Sequence, residues 1–214
     1  WLDKEYLSNF TNISVNSEIA YQEPFKVMRE IEETYSVSSE EPEEENTFLS
    51  YNKAIGTSLD EKLYLAFQIL DYALLSAPGA PLKKVLVDAG IGKDIMGSYD
   101  NGIFQPMFSV IAKNADAGQK EQFVETIEGT LRKIVSEGMD KKALLAGINY
   151  YEFRFREADF GNYPKGLMYG LQLFDSWLYD ETKPFIHIKA LDTFEFLKGQ
   201  VDKGYFEQLI QTWL

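Results

Sequence analysis

Apolar residues recur along this chain at two spacings, and the change from one to the other predicts where the elements lie. Residues 28–37 alternate, with Ile31, Tyr35 and Val37 opposite Glu30, Glu32, Thr34 and Ser36, as a half-buried strand does. Residues 47–55 read as a strand returning beside it. The period then lengthens: Leu63, Phe67, Leu70 and Leu74 recur every three or four residues, which predicts a helix with one buried stripe, running to about Ser76. Ser58-Leu59-Asp60-Glu61 has the form of a capping box at its start. Ala77-Pro78-Gly79-Ala80-Pro81 breaks the pattern, and Pro81 opens a short helix that Gly90 and Gly92 are placed to stop. Residues 94–99 read as a strand and Asp100-Asn101-Gly102 as a tight turn whose middle positions tolerate positive φ. Residues 104–112 run back, with Phe108, Val110 and Ala112 on one face.

Helical spacing dominates from there. Phe123, Ile127, Leu131 and Ile134 line a helix over about 118–137 that Gly138 closes. Asp140 is placed to cap the next, with Leu144, Ile148, Tyr151 and Phe155 inward. Asp159-Phe160-Gly161-Asn162 interrupts, Pro164 restarts a helix with Leu167, Leu171, Phe174 and Leu178 inward, and two shorter helical runs finish the chain. Strands adjacent in order and then helix after helix predict an α+β fold. Its antiparallel β-sheet is covered by helices on one face and followed by C-terminal helices. No repeat of solenoid length is visible.

Composition narrows the partners. A formal charge of −13 disfavours nucleic acid or an anionic membrane, because phosphate binding needs a basic footprint. The chain has no Cys, hence no disulfide framework, thiolate nucleophile or sulfur-ligated metal. No apolar run reaches the ~20 residues of a membrane helix, and no signal peptide is visible. Glu40, Glu41, Glu43, Glu44 and Glu45 around Pro42 read as a solvated hairpin loop, with a calcium or basic-peptide site as the alternative. Trp1, Leu2, Tyr6, Leu7 and Phe10 look like the end of a helix with no start signal. Phe206, Leu209, Ile210 and Trp213 look like a helix with no cap. The expectation is therefore a segment of a longer chain.

Candidate chemistry is sparse. A zinc hydrolase needs two or three ligands converging on the ion and a base beside its water. His187 is the only imidazole and sits in the apolar frame Phe185-Ile186-His187-Ile188, so it reads as a packed, hydrogen-bonded residue. Nothing in the spacing brings Glu152, Glu157 or Asp159 to it. Gly90-Ile91-Gly92-Lys93 lacks the phosphate-loop pattern, and no nucleophile elbow is present. The densest unusual cluster is residues 150–157, Tyr-Tyr-Glu-Phe-Arg-Phe-Arg-Glu. It reads either as a wall in which Arg154 or Arg156 pairs with acid groups and the aromatics meet a peptide, or as a buried helix with Arg–Glu pairs at i, i+3.

Residues 76–84, 88–94, 98–106 and 150–178 resemble the second domain of the insulinase-type zinc metallopeptidases, in the pitrilysin and presequence-protease branch. The block 158–169, Ala-Asp-Phe-Gly-Asn-Tyr-Pro-Lys-Gly-Leu-Met-Tyr, is part of that match. The likeness implies a peptidase of two halves enclosing a chamber where short unfolded peptides are cut. It places the zinc and its inverted His-x-x-Glu-His motif in another domain, with the Glu as base for zinc-activated water. It implies a non-catalytic role here, as chamber wall and support, with no catalytic or metal-binding residue. Tyr150, Arg154 and Arg156 are the candidate chamber-lining residues. Residues 1–26 would connect from the preceding catalytic domain, 27–191 would form the α+β domain, and 192–214 would begin the helical connection to the second half. Zinc is expected in the parent and not in this segment. The expected partners are the other domains of the same chain and peptide substrates. Self-association through an exposed apolar face is a further expectation. A bacterial cytoplasm is the expected compartment, an organellar matrix the alternative. The competing reading is an inactive homologue that acts as a scaffold.

Overall fold

The structure, a computed structural model, describes residues 1–40, 44–158 and 160–214. Three strands form one antiparallel sheet: β1 (Thr47–Ala54), β2 (Asp94–Asp100) and β3 (Met107–Ala115), in the order β1-β3-β2. The register pairs Tyr51 with Val110 and Tyr99 with Phe108, while both Leu49 and Ile95 oppose Ala112. Alternation therefore sends Leu49, Tyr51, Ile95, Phe108, Val110 and Ala112 to one face, where all are buried. The other face presents Ser50, Asn52, Met96 and Ser98 to solvent.

The buried face is covered by α1 (Glu61–Asp71), which runs on through a wide π-type turn at Tyr72–Ser76. Phe67, Leu70 and Leu74, three of the four predicted stripe residues, are fully buried, and Leu63 packs against their margin. Each such side chain contributes about 1.5–3 kcal/mol by leaving water. The short α2 (Pro81–Asp88) begins on its proline, and Gly90 and Gly92 take positive φ of 68° and 65° to turn the chain into β2. Next come α3 (Lys120–Glu137) and α4 (Lys141–Glu157), capped by Asp140. On α3, Phe123, Ile127, Leu131 and Ile134 are buried as expected. On α4, Leu144 and Ile148 are buried, while Tyr151 and Phe155 are half-buried. At Gly147, α4 lies so close to α1 that an added Cβ would sit 3.0 Å from Tyr72 Cδ1. The chain ends with α5 (Lys165–Trp177), α6 (Leu191–Lys198) and α7 (Tyr205–Trp213). Phe194, Leu197, Phe206 and Ile210 join the one core. The fold class is the expected α+β layer.

Several local expectations are corrected. Residues 28–37 alternate but form no strand. A strand needs a neighbouring backbone, and here Ile31 is 82% exposed while Tyr35 only rests its ring on Phe48 and its hydroxyl on Asn46. The 100–102 turn is not tight: neither Asn101 nor Gly102 takes positive φ. The connection is drawn out because Phe104 O and Pro106 O accept from Ser58 N and Ile55 N, and Phe104 stacks on Tyr179 at 4.7 Å. Ser58 does not cap α1. Asp60 does, accepting from Lys62 N and Leu63 N at 3.0 Å each, while Ser58 is completely buried.

The largest departure is α5. Leu167, Leu171, Phe174 and Leu178 face solvent at 45–66% exposure, and Ser176 is the only buried residue of the helix. Glu41, Pro42, Glu43 and Asp159 lie outside the described residues, so the acidic loop is seen only at Glu40, Glu44 and Glu45, all exposed.

Candidate functional site

The expected pairing of Arg154 with Glu157 at i, i+3 does not form. On α4 the carboxylate that matters is Glu152, only 7% exposed. It accepts from Arg156 at 2.6 Å, one turn along, and from Lys198 of α6 at 2.6 Å. The Lys198 hydrogen bond, with help from Arg156, holds its carboxyl below the usual range. Arg156 is thus half of an internal tie between α4 and α6. Arg154 is exposed, with its guanidinium 5.7 Å from the Tyr150 ring centre and its Nη1 donating to the Tyr150 hydroxyl at 3.4 Å. Tyr150, at 44% exposure, stacks on Tyr72 at 5.5 Å. Tyr151 meets both rings edge-on, at 6.4 Å and 5.1 Å. The three tyrosines form one half-exposed aromatic surface where α4 crosses the end of α1.

Asp71 lies at its edge. Its Oδ1 is buried without a hydrogen-bond partner, and burial pushes its carboxyl up to about 6. Asp71 and burial together raise Tyr151 to about 12, with burial the larger cause. The carboxylate sits over Gly97 of β2. A Cβ there would collide with Asp71 Oδ1 and lie 2.8 Å from Leu75 Cδ1. Asp71 is not among the residues that the sequence singles out above, yet its position carries a signal. It follows Phe67 by four residues and precedes Leu74 by three, so it is an acid on the buried stripe.

His187 is the packed residue expected: 4% exposed and stacked nearly parallel on Tyr64 at 3.7 Å. One ring nitrogen donates to the main-chain oxygen of Ser58, while Nε2 is buried and unpartnered. Burial lowers its pKa to about 4, so it is neutral at physiological pH. The Tyr64 hydroxyl donates to Asp175 Oδ2 at 2.8 Å, and burial and the Asp175 charge raise the phenol far above its usual range. Asp175, at the end of α5, is raised mainly by its own burial. Ser176 Oγ donates to Lys183 O at 2.7 Å. Together these bonds fix the C-terminal end of α5 and the 178–190 turn to the start of α1.

The residues present do not fit a zinc ion. Among the described residues no group of three or more His, Asp or Glu side chains converges. The one imidazole is committed to Tyr64 and Ser58, and there is no thiol. No helix among the described residues is long and apolar enough to cross a membrane.

The sequence profile of the family described as "Peptidase M16 inactive domain" matches residues 2–151. Protein HypA of Clostridium perfringens is 40% identical over 214 residues, which is 100% of this chain and 22% of that protein. Presequence protease 1, chloroplastic/mitochondrial, of Arabidopsis thaliana is 31% identical over 215 residues, which is 97% of this chain and 20% of that protein. The chain thus spans about a fifth of the length of these curated relatives. Among solved structures, a candidate zinc protease from Bordetella pertussis Tohama I superposes with a TM-score of 0.61 at 11% identity, covering 78% of this chain and 85% of that one. The inactive peptidase domain of a candidate zinc protease from Bordetella parapertussis gives 0.57 at 10% identity, with the same coverage. At these identities the structures share the fold.

Proposed function

The chain belongs to the peptidase M16 inactive-domain family, and we propose that it serves as the non-catalytic wall and support of a zinc-dependent endopeptidase that degrades short unfolded peptides. The observation that carries this reading is the bare apolar face of α5. Leu167, Leu171, Phe174, Trp177 and Leu178 are 45–66% exposed on one short stretch. So continuous an apolar surface marks a contact waiting for a protein partner. The relatives that match this chain end to end are about five times longer, so the partner we assign is the rest of the same polypeptide. In that arrangement residues 1–26 come from a preceding catalytic domain, 27–191 form the domain body, and 192–214 begin the connection to a second half. Zinc and its general base belong to the preceding domain. A bacterial cytoplasm, or an organellar matrix, is the compartment we assign.

Hydrogen exchange tests the reading. Amides of residues 165–178 exchange quickly in the 214-residue protein and become protected in the longer polypeptide, which also cleaves a quenched peptide when zinc is supplied. Equal exchange in both proteins overturns the docking role. Protection without zinc-dependent cleavage replaces the peptidase with a scaffold.

A further inference from the structure

The strand β1 carries an unused edge and meets an unused groove. It pairs with β3 alone, so its other edge presents main-chain N–H and C=O groups with no strand beside them. Between α3 and α7 lies a groove of about 370 Å³ floored by Leu131, Val135, Ile210 and Leu214, with Arg132 on its rim. The groove reaches β1, because the Tyr51 hydroxyl donates to Leu214 O at 3.2 Å. The arm formed by residues 22–37 is pinned beside both ends of the same strand. At one end Gln22 and Gln105 exchange hydrogen bonds of 2.7 Å and 3.1 Å, next to Pro106, whose carbonyl accepts from Ile55 N. At the other end the Tyr35 ring rests on Phe48 at 5.6 Å and its hydroxyl on Asn46. The arm thus runs in the direction opposite to β1, yet no main-chain hydrogen bond joins 28–37 to β1 among the described residues. Residues 28–37 contain no Pro, no Gly and no positive φ, so nothing in their backbone opposes a strand.

We infer that residues 28–37 are a strap that closes on the free edge of β1 as a fourth strand, bringing Ile31, Tyr35 and Val37 to the side of the α3–α7 groove. The register follows from the pleat. Leu49 and Tyr51 face the core, and Ile31, Tyr35 and Val37 join that face only if odd-numbered residues pair with odd. The odd pairing nearest to the present contact of Tyr35 with Phe48 sets Tyr35 opposite Leu49. It also sets Thr34 opposite Ser50 and Glu32 opposite Asn52, polar with polar on the solvent face. Closure gives up the ion pair of Glu30 with Lys120, whose side chains are 64% and 51% exposed, so the loss is small. It gains main-chain bonds along the edge and takes Ile31, now 82% exposed, out of water. A closed strap also keeps the edge of β1 from pairing with another chain.

Hydrogen exchange and paired cysteines in the 214-residue protein test this. At about pH 7, alternate amides within residues 31–37 exchange at least about tenfold more slowly than those of an unstructured chain, and unstructured rates there overturn the inference. Ile31→Asp with Val37→Asp opens the strap: the β1 amides that do not bond to β3 exchange about tenfold faster, while those of α1 and α3 keep their rates. Unchanged β1 rates overturn the inference, because Ile31 is then an ordinary surface residue. The chain has no Cys of its own, so an introduced pair reads the register without interference. In a glutathione buffer, Thr34→Cys with Ser50→Cys forms an internal disulfide about tenfold more readily than Glu33→Cys with Ser50→Cys, whose side chains fall on opposite faces of the closed sheet. Facing Cα atoms of antiparallel strands lie about 4.5–5.5 Å apart, within reach of the bond. Equal closure of the two pairs means an arm without register and overturns the inference. A disulfide between two chains overturns it too, because a second copy then takes the edge.

Discussion

Replacing Asp71 by Asn makes the protein more stable at neutral pH, and the size of the effect follows from the cost of burying the charge. Folding moves the carboxyl from 3.8 to about 6, with desolvation as the cause and no compensating cation. A folded-state pKa above the unfolded value means that the native state binds the proton more readily. The penalty is therefore absent below about pH 4 and grows as pH rises through about 6. A shift of about two units corresponds to about 3 kcal/mol as an upper bound, and partial access of solvent to the other carboxylate oxygen brings the working figure to about 1–2 kcal/mol. Urea unfolding followed by circular dichroism, at steps from about pH 4 to pH 7.5, measures it directly. Asp71→Asn exceeds the parent by that amount at the top of the range and converges on it at the bottom. A variant less stable than the parent at about pH 7.5 refutes the reasoning, because it means that the ionised carboxylate is gaining a favourable partner in the native state.

The single His187 titrates with a midpoint near 4 instead of 6.5, which its one imidazole resonance in an NMR titration reads without assignment. Since that pKa is depressed, its contribution to stability is present above about pH 6.5 and is lost as pH falls toward 4. The two candidate caps of α1 separate cleanly. Asp60→Ala costs about 1 kcal/mol, whereas Ser58→Ala, which removes a buried hydroxyl without a hydrogen-bond partner, leaves the urea midpoint equal or higher. Gly97→Ala costs about 1–3 kcal/mol through overpacking against Asp71 and Leu75. An unchanged midpoint there places the carboxylate elsewhere. Leu171→Glu with Phe174→Glu changes the stability of this chain by no more than about 0.5 kcal/mol, because both side chains are exposed.

How far the sequence was legible depends on whether each signal was local. The 3.6-residue stripes of α1 and α3 found their buried residues because a helix makes its own hydrogen bonds and needs only one apolar face. The glycines at 90 and 92 were legible for the same reason: φ is a property of one residue. The alternation at 28–37 misled because pairing belongs to two segments, and no partner strand lies beside it. At Asn101-Gly102 the local turn preference lost to main-chain bonds between residues 55–58 and 104–106. The α5 stripe was identified, but its direction was reversed. Periodicity locates an apolar face and says nothing of whether the matching surface lies within the chain. Of the residues singled out by their clustering on α4, Tyr150 and Arg154 touch each other and Arg156 pairs with Glu152, contacts that the spacing alone does not specify. Asp71 was overlooked because its meaning lies in Gly97 and Tyr151, 26 and 80 residues further along the chain.

The attachment of α5 has a mechanical meaning. The helix is bolted at its C-terminal end, through Asp175 to Tyr64 and through Ser176 to Lys183, while Leu167, Leu171, Phe174 and Trp177 on its apolar side stay about half exposed. A body seated on that side would push a lever whose fulcrum is the Tyr64 hydroxyl. Its motion would reach α1 first, and α1 ends at Asp71. The Tyr64 hydroxyl near the start of α1 and Asp71 at its end are thus joined by a single rod of 11 residues.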